Sequence, residues 1–325
     1  MSVLNILFVG SDEVARSIAK KSDSRDVDNY IYKDLKDDGL FSTISIIRPN
    51  SYPDKPKPFF TSLTVSDFGI VEVNKVDSTF GEVIVSMASA GIKEGLVILN
   101  ASEEEWVDDS QVKSLLEQAG LSKWNFIEND GILIREKLIE VLNQIQTNDD
   151  DGFVVAVDQA FTVKGVGLVA VGHVQSGKVN KHDELILAGS EGNAIARSLQ
   201  VMDLDVDVAN VGDRVGLAMR TVGPFREDLL GKGSILADSN ERFTVESKSN
   251  FKLGKAAFQK NNLAKGDVVH FCSDLQFAVG RISKVNDSIH IDWDFPIVLN
   301  GASNRNPLIV QLEATPRIMG FANFN

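Results

Sequence analysis

The sequence is short of what several common chemistries require. It holds one cysteine, Cys272, which excludes an internal disulfide and suits a reducing cytoplasm. Four histidines, His173, His182, His270 and His290, are scattered without ligand or triad spacing. They read as structural or surface residues, and with a single cysteine they give no zinc signature. No apolar run reaches the roughly 18–20 residues that a membrane span needs. Met1–Gly10 lacks a basic flank before its short apolar run and a cleavage-type site after it, so it reads as a first strand rather than a signal peptide. Low-complexity tracts and repeats of solenoid period are absent too. The expectation is a cytoplasmic protein with no membrane partner and no metal centre.

What remains is ordinary globular material: 325 residues, 43% hydrophobic and 24% charged, enough chain for two or three domains. The net charge of −13 is uneven. Residues 1–150 carry 15 Lys+Arg against 26 Asp+Glu, residues 151–238 carry 8 against 12, and residues 239–325 carry 10 against 8. An acidic first part repels phosphates, so any RNA contact is expected from the later parts and DNA is not an expected partner. The acidity equally serves solubility.

Three segments differ in grammar. In the first, strand-length apolar runs at Leu4–Val9, Ile44–Ile47, Phe68–Val73, Leu96–Leu99 and Trp124–Ile127 alternate with helical spacing at Val14–Lys21, Phe59–Val65, Val83–Gly91, Val112–Ala119 and Ile132–Ile145. That alternation predicts a parallel sheet covered by helices, buried on both faces. The polar run Thr147–Gly152 reads as a linker. Beyond it, short β-rich runs (Phe153–Val157, Leu168–Val174, Glu184–Leu187, Ala194–Val201, Val215–Met219) separated by Gly, Asn and Asp predict small β-barrels, with a second break near Ala237–Glu241. The expected domains are 1–148 (α/β), 152–238 (first barrel) and 239–325 (second barrel).

Residues 160–220 carry the most information. Gly165, Gly167, Gly172 and Gly177 sit where a curved barrel bends or turns. Gly165-Val166-Gly167 is not a dinucleotide loop, because Ala170 stands at the third glycine and no helix follows. Gly212-Asp213 fits a tight turn. This order, with Asp183-Glu184-Leu185 and Gly212-Asp213-Arg214-Val215-Gly216-Leu217, closely resembles domain 2 of the EF-Tu superfamily of translation elongation factors. His182 departs from it, standing where that family usually has glycine. Residues 241–325, through Lys248–Phe251, Gly266–His270, Phe295–Ile297 and Pro316–Phe321, resemble the third domain of the selenocysteine-specific (SelB) branch. The resemblance implies a multidomain α/β plus all-β chain: a P-loop-GTPase-like doubly wound domain followed by two EF-Tu-type β-barrels. It also implies that the fourth, RNA-binding domain of that branch is missing, so recruitment to a selenocysteine-insertion element is not expected.

If so, the first domain should carry GTPase motifs, and each is altered. A phosphate loop Gly-x-x-x-x-Gly-Lys-Ser/Thr would fall on Gly10 to Ser17. Gly10 and Ser17 are kept, but Ala15 replaces the second glycine, Arg16 replaces lysine, and Asp12 and Glu13 add negative charge. Arginine is bulkier and forked, so it is not an equivalent for lysine there. The Asp-x-x-Gly-His element that places metal and water falls on Arg48, Ser51 and Tyr52, and a cation at a divalent-metal site is unfavourable. The guanine-reading Asn-Lys-x-Asp falls on Asn100-Ala101-Ser102-Glu103, without its lysine and with an acid one methylene longer. Glu128-Asn129-Asp130 replaces the Ser-Ala element. The stretch from Gly10 to Arg48 is short for a first switch region.

The degenerate set Gly10, Ala15, Arg16, Ser17, Arg48, Ser51, Tyr52, Asn100 and Glu103 implies a pseudo-GTPase with no catalytic residues and no nucleotide or other cofactor. Such a chain resembles an archaeal group of SelB-like proteins. Its expected partners are tRNA, the ribosome or another translation factor. Lys248, Lys252, Lys255, Lys260 and Lys265 are candidate RNA contacts, against the alternative of an ordinary mixed surface. The acidic run Glu103–Glu105 with Asp108-Asp109 reads as a solvated loop and helix N-terminus, and the proline-rich Pro53–Pro58 with Lys55 and Lys57 as a connector. Two other functions stay open: a divergent GTPase still using Arg16 and Ser17 on phosphate, and a protein–protein adaptor working through its acidic domain.

Overall fold

A computed structural model describes residues 2–35, 41–100, 107–145 and 152–324. β1 (Ser2–Val9) lies in the middle of a seven-stranded sheet. It pairs in parallel with β4 (Phe41–Pro49) on one side and β5 (Phe68–Val73) on the other. β6 (Gly95–Leu99) and β7 (Asn125–Ile127) continue the parallel run. The crossovers carry α2 (Pro56–Leu63), α3 (Ser78–Ala90) and α4 (Asp109–Ala119), while α1 (Asp12–Ile18) follows β1 and α5 (Gly131–Gln144) follows β7.

Helix starts are written locally. Asp77, Asp108 and Asp130 accept the first free N–H groups of α3, α4 and α5, and Gly91 and Gly120 end two helices in the left-handed conformation. Asp108 and Asp109 thus begin a helix, as their charge suggests; Glu103–Glu105 lie outside the described residues. Asp130→Ala should cost about 1 kcal/mol of stability in urea unfolding, the usual effect of removing an N-cap.

The sheet is not wholly parallel, as the alternating pattern implied. β2 (Lys20–Ser24) and β3 (Val27–Leu35) form an antiparallel hairpin that extends it beyond β4. The predicted helix Val14–Lys21 therefore stops at Ile18, and the short first-switch stretch is largely strand. The hairpin escaped the pattern because its buried positions are Asp28 and Tyr30, so no apolar alternation marks it.

β8 (Phe153–Val163), β9 (Gly167–Asn180), β10 (Glu184–Leu187), β11 (Asn193–Val201), β14 (Arg214–Val222) and β15 (Ile235–Ala237) form the second sheet, which β10–β11 pairing closes on itself. β12 (Leu204–Val206) and β13 (Val208–Asn210) attach to β11 and β9. Gly165, Gly167, Gly177 and Gly212 have positive φ. Gly172 does not; a Cβ there would press on Ala156 of the facing strand. His182 also takes φ 77°, so the backbone keeps the turn even without glycine. The last sheet is a closed six-stranded barrel of β16 (Phe243–Lys255), β17 (Val268–Cys272), β18 (Ala278–Val285), β19 (Ile289–Asn300), β20 (Leu308–Val310) and β21 (Ile318–Phe324). No helix among the described residues is long and apolar enough to cross a membrane.

The three units pack together. One core cluster runs from Phe59, Phe60 and Val83 of the α/β unit into Cys272, Leu308 and Ile318 of the second barrel. A smaller one joins Ile47 and Val65 to Val154 and Ile235 of the first barrel and to Leu275.

Candidate functional site

The site residues expected from the sequence lie mainly at the carboxyl ends of β1, β4 and β6, where open α/β sheets bind ligands. Gly10 leaves β1 and Ser11 caps α1, so helix begins at Asp12. The positions that would wrap phosphate are already helical. Ala15 N–H donates to Ser11 O at 3.3 Å and Val14 N–H to Ser11 Oγ at 3.2 Å. Ala15 is fully buried. Arg16 is exposed and paired with Asp12 one turn back. The Ser17 hydroxyl donates to Val14 O at 2.8 Å within its own helix.

Ser11 N–H, the group at the head of α1, donates to Glu72 Oε2 at 2.5 Å. Glu72 stands near the end of β5, and its other oxygen accepts from Asn100 Nδ2. Asn100 in turn accepts from Asn129 Nδ2 at 2.9 Å. A hydrogen-bonded line of Ser11, Glu72, Asn100 and Asn129 thus crosses the strand ends. Glu72 was missed because nothing in a strand reading VEV distinguishes its glutamate; only the proximity of Gly10, where a Cβ would meet Glu72, reveals it. Glu103 lies outside the described residues.

Arg48 does not face an open metal position. Its Nε donates to Gly10 O at 2.7 Å and its Nη1 to Asp28 Oδ2 at 3.1 Å. Asp28 also receives Lys21 at 2.9 Å and the Ser24 hydroxyl at 2.6 Å. Burial opposes the Asp28 charge, yet these partners outweigh it and hold the carboxyl below its usual range. On α1, the Tyr30 hydroxyl and the Arg16 guanidinium hold the Asp12 carboxyl far below its usual range.

The Ser51 hydroxyl donates to its neighbour Asn50 Oδ1 at 3.1 Å, and its carbonyl accepts from Lys55 N–H at 2.8 Å. Tyr52 points away from the strand ends, toward the second barrel. Its hydroxyl donates to Glu82 Oε1 at 2.5 Å, and Glu82 accepts from Arg317 Nη1 at 2.8 Å and Arg317 N–H at 2.6 Å. Burial and the Glu82 charge push the Tyr52 phenol well up, so it remains a neutral donor.

The hairpin reaches the first barrel through Arg25 to Gln159 and through Asp23, which lies 3.8 Å from Arg214. Of the candidate RNA lysines, Lys248 and Lys252 share the outward face of β16, Lys255 bonds Asn262, and Lys260 stands on the following loop. Lys265 is exposed before β17, and Lys248 is already paired with Asp292 at 3.3 Å. Among the described residues there is no cluster of three or more metal-ligating side chains.

A GTPase-type α/β unit followed by two β-barrels is the architecture of the SelB class of translation elongation factors. The apo SelB of Methanococcus maripaludis superposes with TM-score 0.78 at 17% identity, covering 100% of this chain and 80% of that one. A bacterial selenocysteine-specific factor gives TM-score 0.76 at 18% identity, covering 100% and 58%.

In sequence, the selenocysteine-specific elongation factor of Methanocaldococcus jannaschii is 32% identical over 148 residues, 44% of this chain and 30% of that protein. The Escherichia coli factor is 28% identical over 228 residues, 63% of this chain and 35% of that protein. The matched stretches therefore span about a third of those two factors. An uncharacterised protein of Methanocaldococcus jannaschii is 29% identical over 281 residues, 86% of both chains. No protein-family model matches. In fold, and in part of its sequence, the chain is similar to selenocysteine-specific elongation factors.

Proposed function

We propose that this chain is an elongation-factor-like binding protein whose α/β unit no longer binds or hydrolyses GTP, and that it acts through contacts of its barrels with tRNA, the ribosome or another translation factor. We take its domains to be 1–148, 152–238 and 239–325. The reading rests chiefly on one observation: the stretch Asp12–Ser17 is helix, and the N–H before it is bonded to the Glu72 carboxylate. The Val14 and Ala15 N–H groups are already bonded to Ser11 and are not free to cradle phosphates. A carboxylate at the head of the helix takes the place that an anion would occupy and repels a second one.

The residues also do not fit a magnesium-bound triphosphate. Ser17 is turned onto its own helix, Arg48 neutralises Asp28, and Tyr52 serves the contact between units. The likeness to selenocysteine-specific factors supports partners in translation.

Calorimetric titration with GTP, GDP and ATP in the presence of Mg²⁺ tests the first half. No saturable heat is expected up to millimolar nucleotide, and micromolar binding through Arg16 and Ser17 would overturn it. Capture of the tagged protein from native extract, with bound RNA and protein both identified, tests the second half. The expected yield is tRNA, ribosomal components or a translation factor; partners confined to non-ribosomal proteins without RNA would favour an adaptor instead.

A further inference from the structure

Among the described residues, six other than glycine have positive φ: His182, Met202, Asp203, Phe258, Asp274 and Leu275. A bulky side chain held in that conformation marks strain that the surrounding structure must offset. Three of the six are large and apolar, and two of those have a visible structural duty. The Met202 sulfur receives the Thr43 hydroxyl at 3.6 Å, and Leu275 is buried in the core that joins the three units. Phe258, at φ 62°, is instead 38% exposed.

Phe258 is the third residue of the turn Ala256–Gln259, closed by Gln259 N–H donating to Ala256 O at 3.3 Å. Glycine or asparagine is the residue that a positive φ at that position favours. The turn is anchored by Gln259, which is buried. Its Nε2 donates to Pro316 O at 2.8 Å and Ile318 O at 2.9 Å, and its Oε1 accepts from Asn261 N–H at 2.9 Å. A ring that the backbone disfavours is thus held at the surface by a fixed neighbour.

The charge around it has one sign. Residues 255–266 hold Lys255, Lys260 and Lys265 and no acidic residue, in a chain of net charge −13. Lys260, on the other side of Gln259 from the ring, is exposed. Lys255 Nζ donates to Asn262 Oδ1 at 2.8 Å and ties the start of the loop to its middle. Asp267, which follows the loop, accepts from Ala264 N–H at 2.8 Å.

An aromatic face among ammonium groups matches a nucleotide that is not in a duplex: the ring takes the base by stacking, and the lysines take the flanking phosphates. Protein interfaces, by contrast, are depleted in lysine. We propose that the loop 255–266 of the second barrel binds single-stranded RNA, with the Phe258 ring stacked on an unpaired base and Lys260 on the adjoining phosphate. This rests on the reading above only in placing RNA among the partners; it adds the surface and the kind of RNA. The strained backbone at Phe258 then has a use, since it presents the ring to the base. None of this depends on whether the α/β unit holds a nucleotide.

The test titrates the full chain into a fluorescein-labelled single-stranded RNA, read by anisotropy, beside the same RNA annealed into a duplex and beside tRNA. Saturable binding of the single strand, tighter than that of the duplex, is expected. Phe258→Ala should weaken it about 10-fold, the usual loss when a stacking ring is removed, while Phe258→Trp, which keeps an aromatic face, should retain it. Lys260→Gln should reduce the slope of log affinity against log salt by about 1. On wild-type protein alone, RNA carrying bromouracil should photo-cross-link to the peptide that contains Phe258, whatever the variants do. Equal binding by folded Phe258→Ala protein, preference for the duplex, or cross-links confined to other peptides overturns the inference and leaves the tRNA reading standing. Absence of binding to any RNA, tRNA included, overturns both.

Discussion

Arg317→Ala should destabilise the protein by about 3 kcal/mol, read from the urea unfolding midpoint. Arg317 comes from the turn before β21, and Glu82 from α3, so their bond joins the second barrel to the α/β unit. The Glu82 side chain is only 7% exposed. It accepts from both the guanidinium and the backbone N–H of Arg317, and from Tyr52. Removing one partner of a buried pair strands the other charge, which costs about 3–5 kcal/mol. The Arg317 side chain keeps 27% exposure, which places the effect at the lower end. If stranding is the cause, the double variant Glu82→Gln/Arg317→Met should recover most of the loss, since paired removal leaves no buried charge. A shift below about 0.5 kcal/mol, the size of an ordinary surface substitution, would show that this contact does not hold the units together. The position that resemblance assigns to a catalytic histidine would then have no structural duty either, because Tyr52 belongs to the same contact.

Acidification should weaken the fold through His173, by on the order of 3 kcal/mol between about pH 7 and pH 4. His173 lies on β9, buried, with Nδ1 unpaired. Burial, and then the neighbouring Arg214 charge, lowers its pKa from 6.5 to about 4, while Asp158 opposes the shift. The native state therefore keeps the ring neutral where the unfolded chain takes up a proton. Stability from this residue is full above about 6.5 and is lost as pH falls toward 4, because the unfolded state binds more protons throughout that window. His173→Gln should flatten the pH dependence of the urea midpoint across the same range. A variant as acid-sensitive as the wild type would place the effect elsewhere. The nearby Arg214 pairs with Asp158 at 2.9 Å and lies 3.8 Å from Asp23 of the hairpin, so loosening here would also free the contact between the first barrel and the α/β unit.

These contacts give the altered site a coherent use. Residues that the resemblance assigns to metal, water and phosphate instead bond other groups of the α/β unit. Arg48 braces Gly10 against Asp28, Tyr52 reaches Glu82, and Glu72 closes the strand ends.

Much of this was written in the linear chain. Alternating strand and helix periods, three aspartate caps and the glycine-studded run 160–220 specify the α/β unit and the barrels, because burial period and turn chemistry act over a few residues at a time. Local signals also showed that Ala15, Arg16 and Arg48 break the phosphate and metal patterns. What replaced those patterns was decided only in three dimensions. The hairpin 20–35 buries Asp28 and Tyr30 rather than an apolar stripe, and its polarity is satisfied by Lys21, Arg48 and Asp12. Glu72 finds Ser11 from 61 positions away, and Arg317 finds Glu82 from 235. Hydrophobic period survives in sequence because every strand and helix repeats it; a single long-range polar partner leaves no repeat, so only folding discloses it.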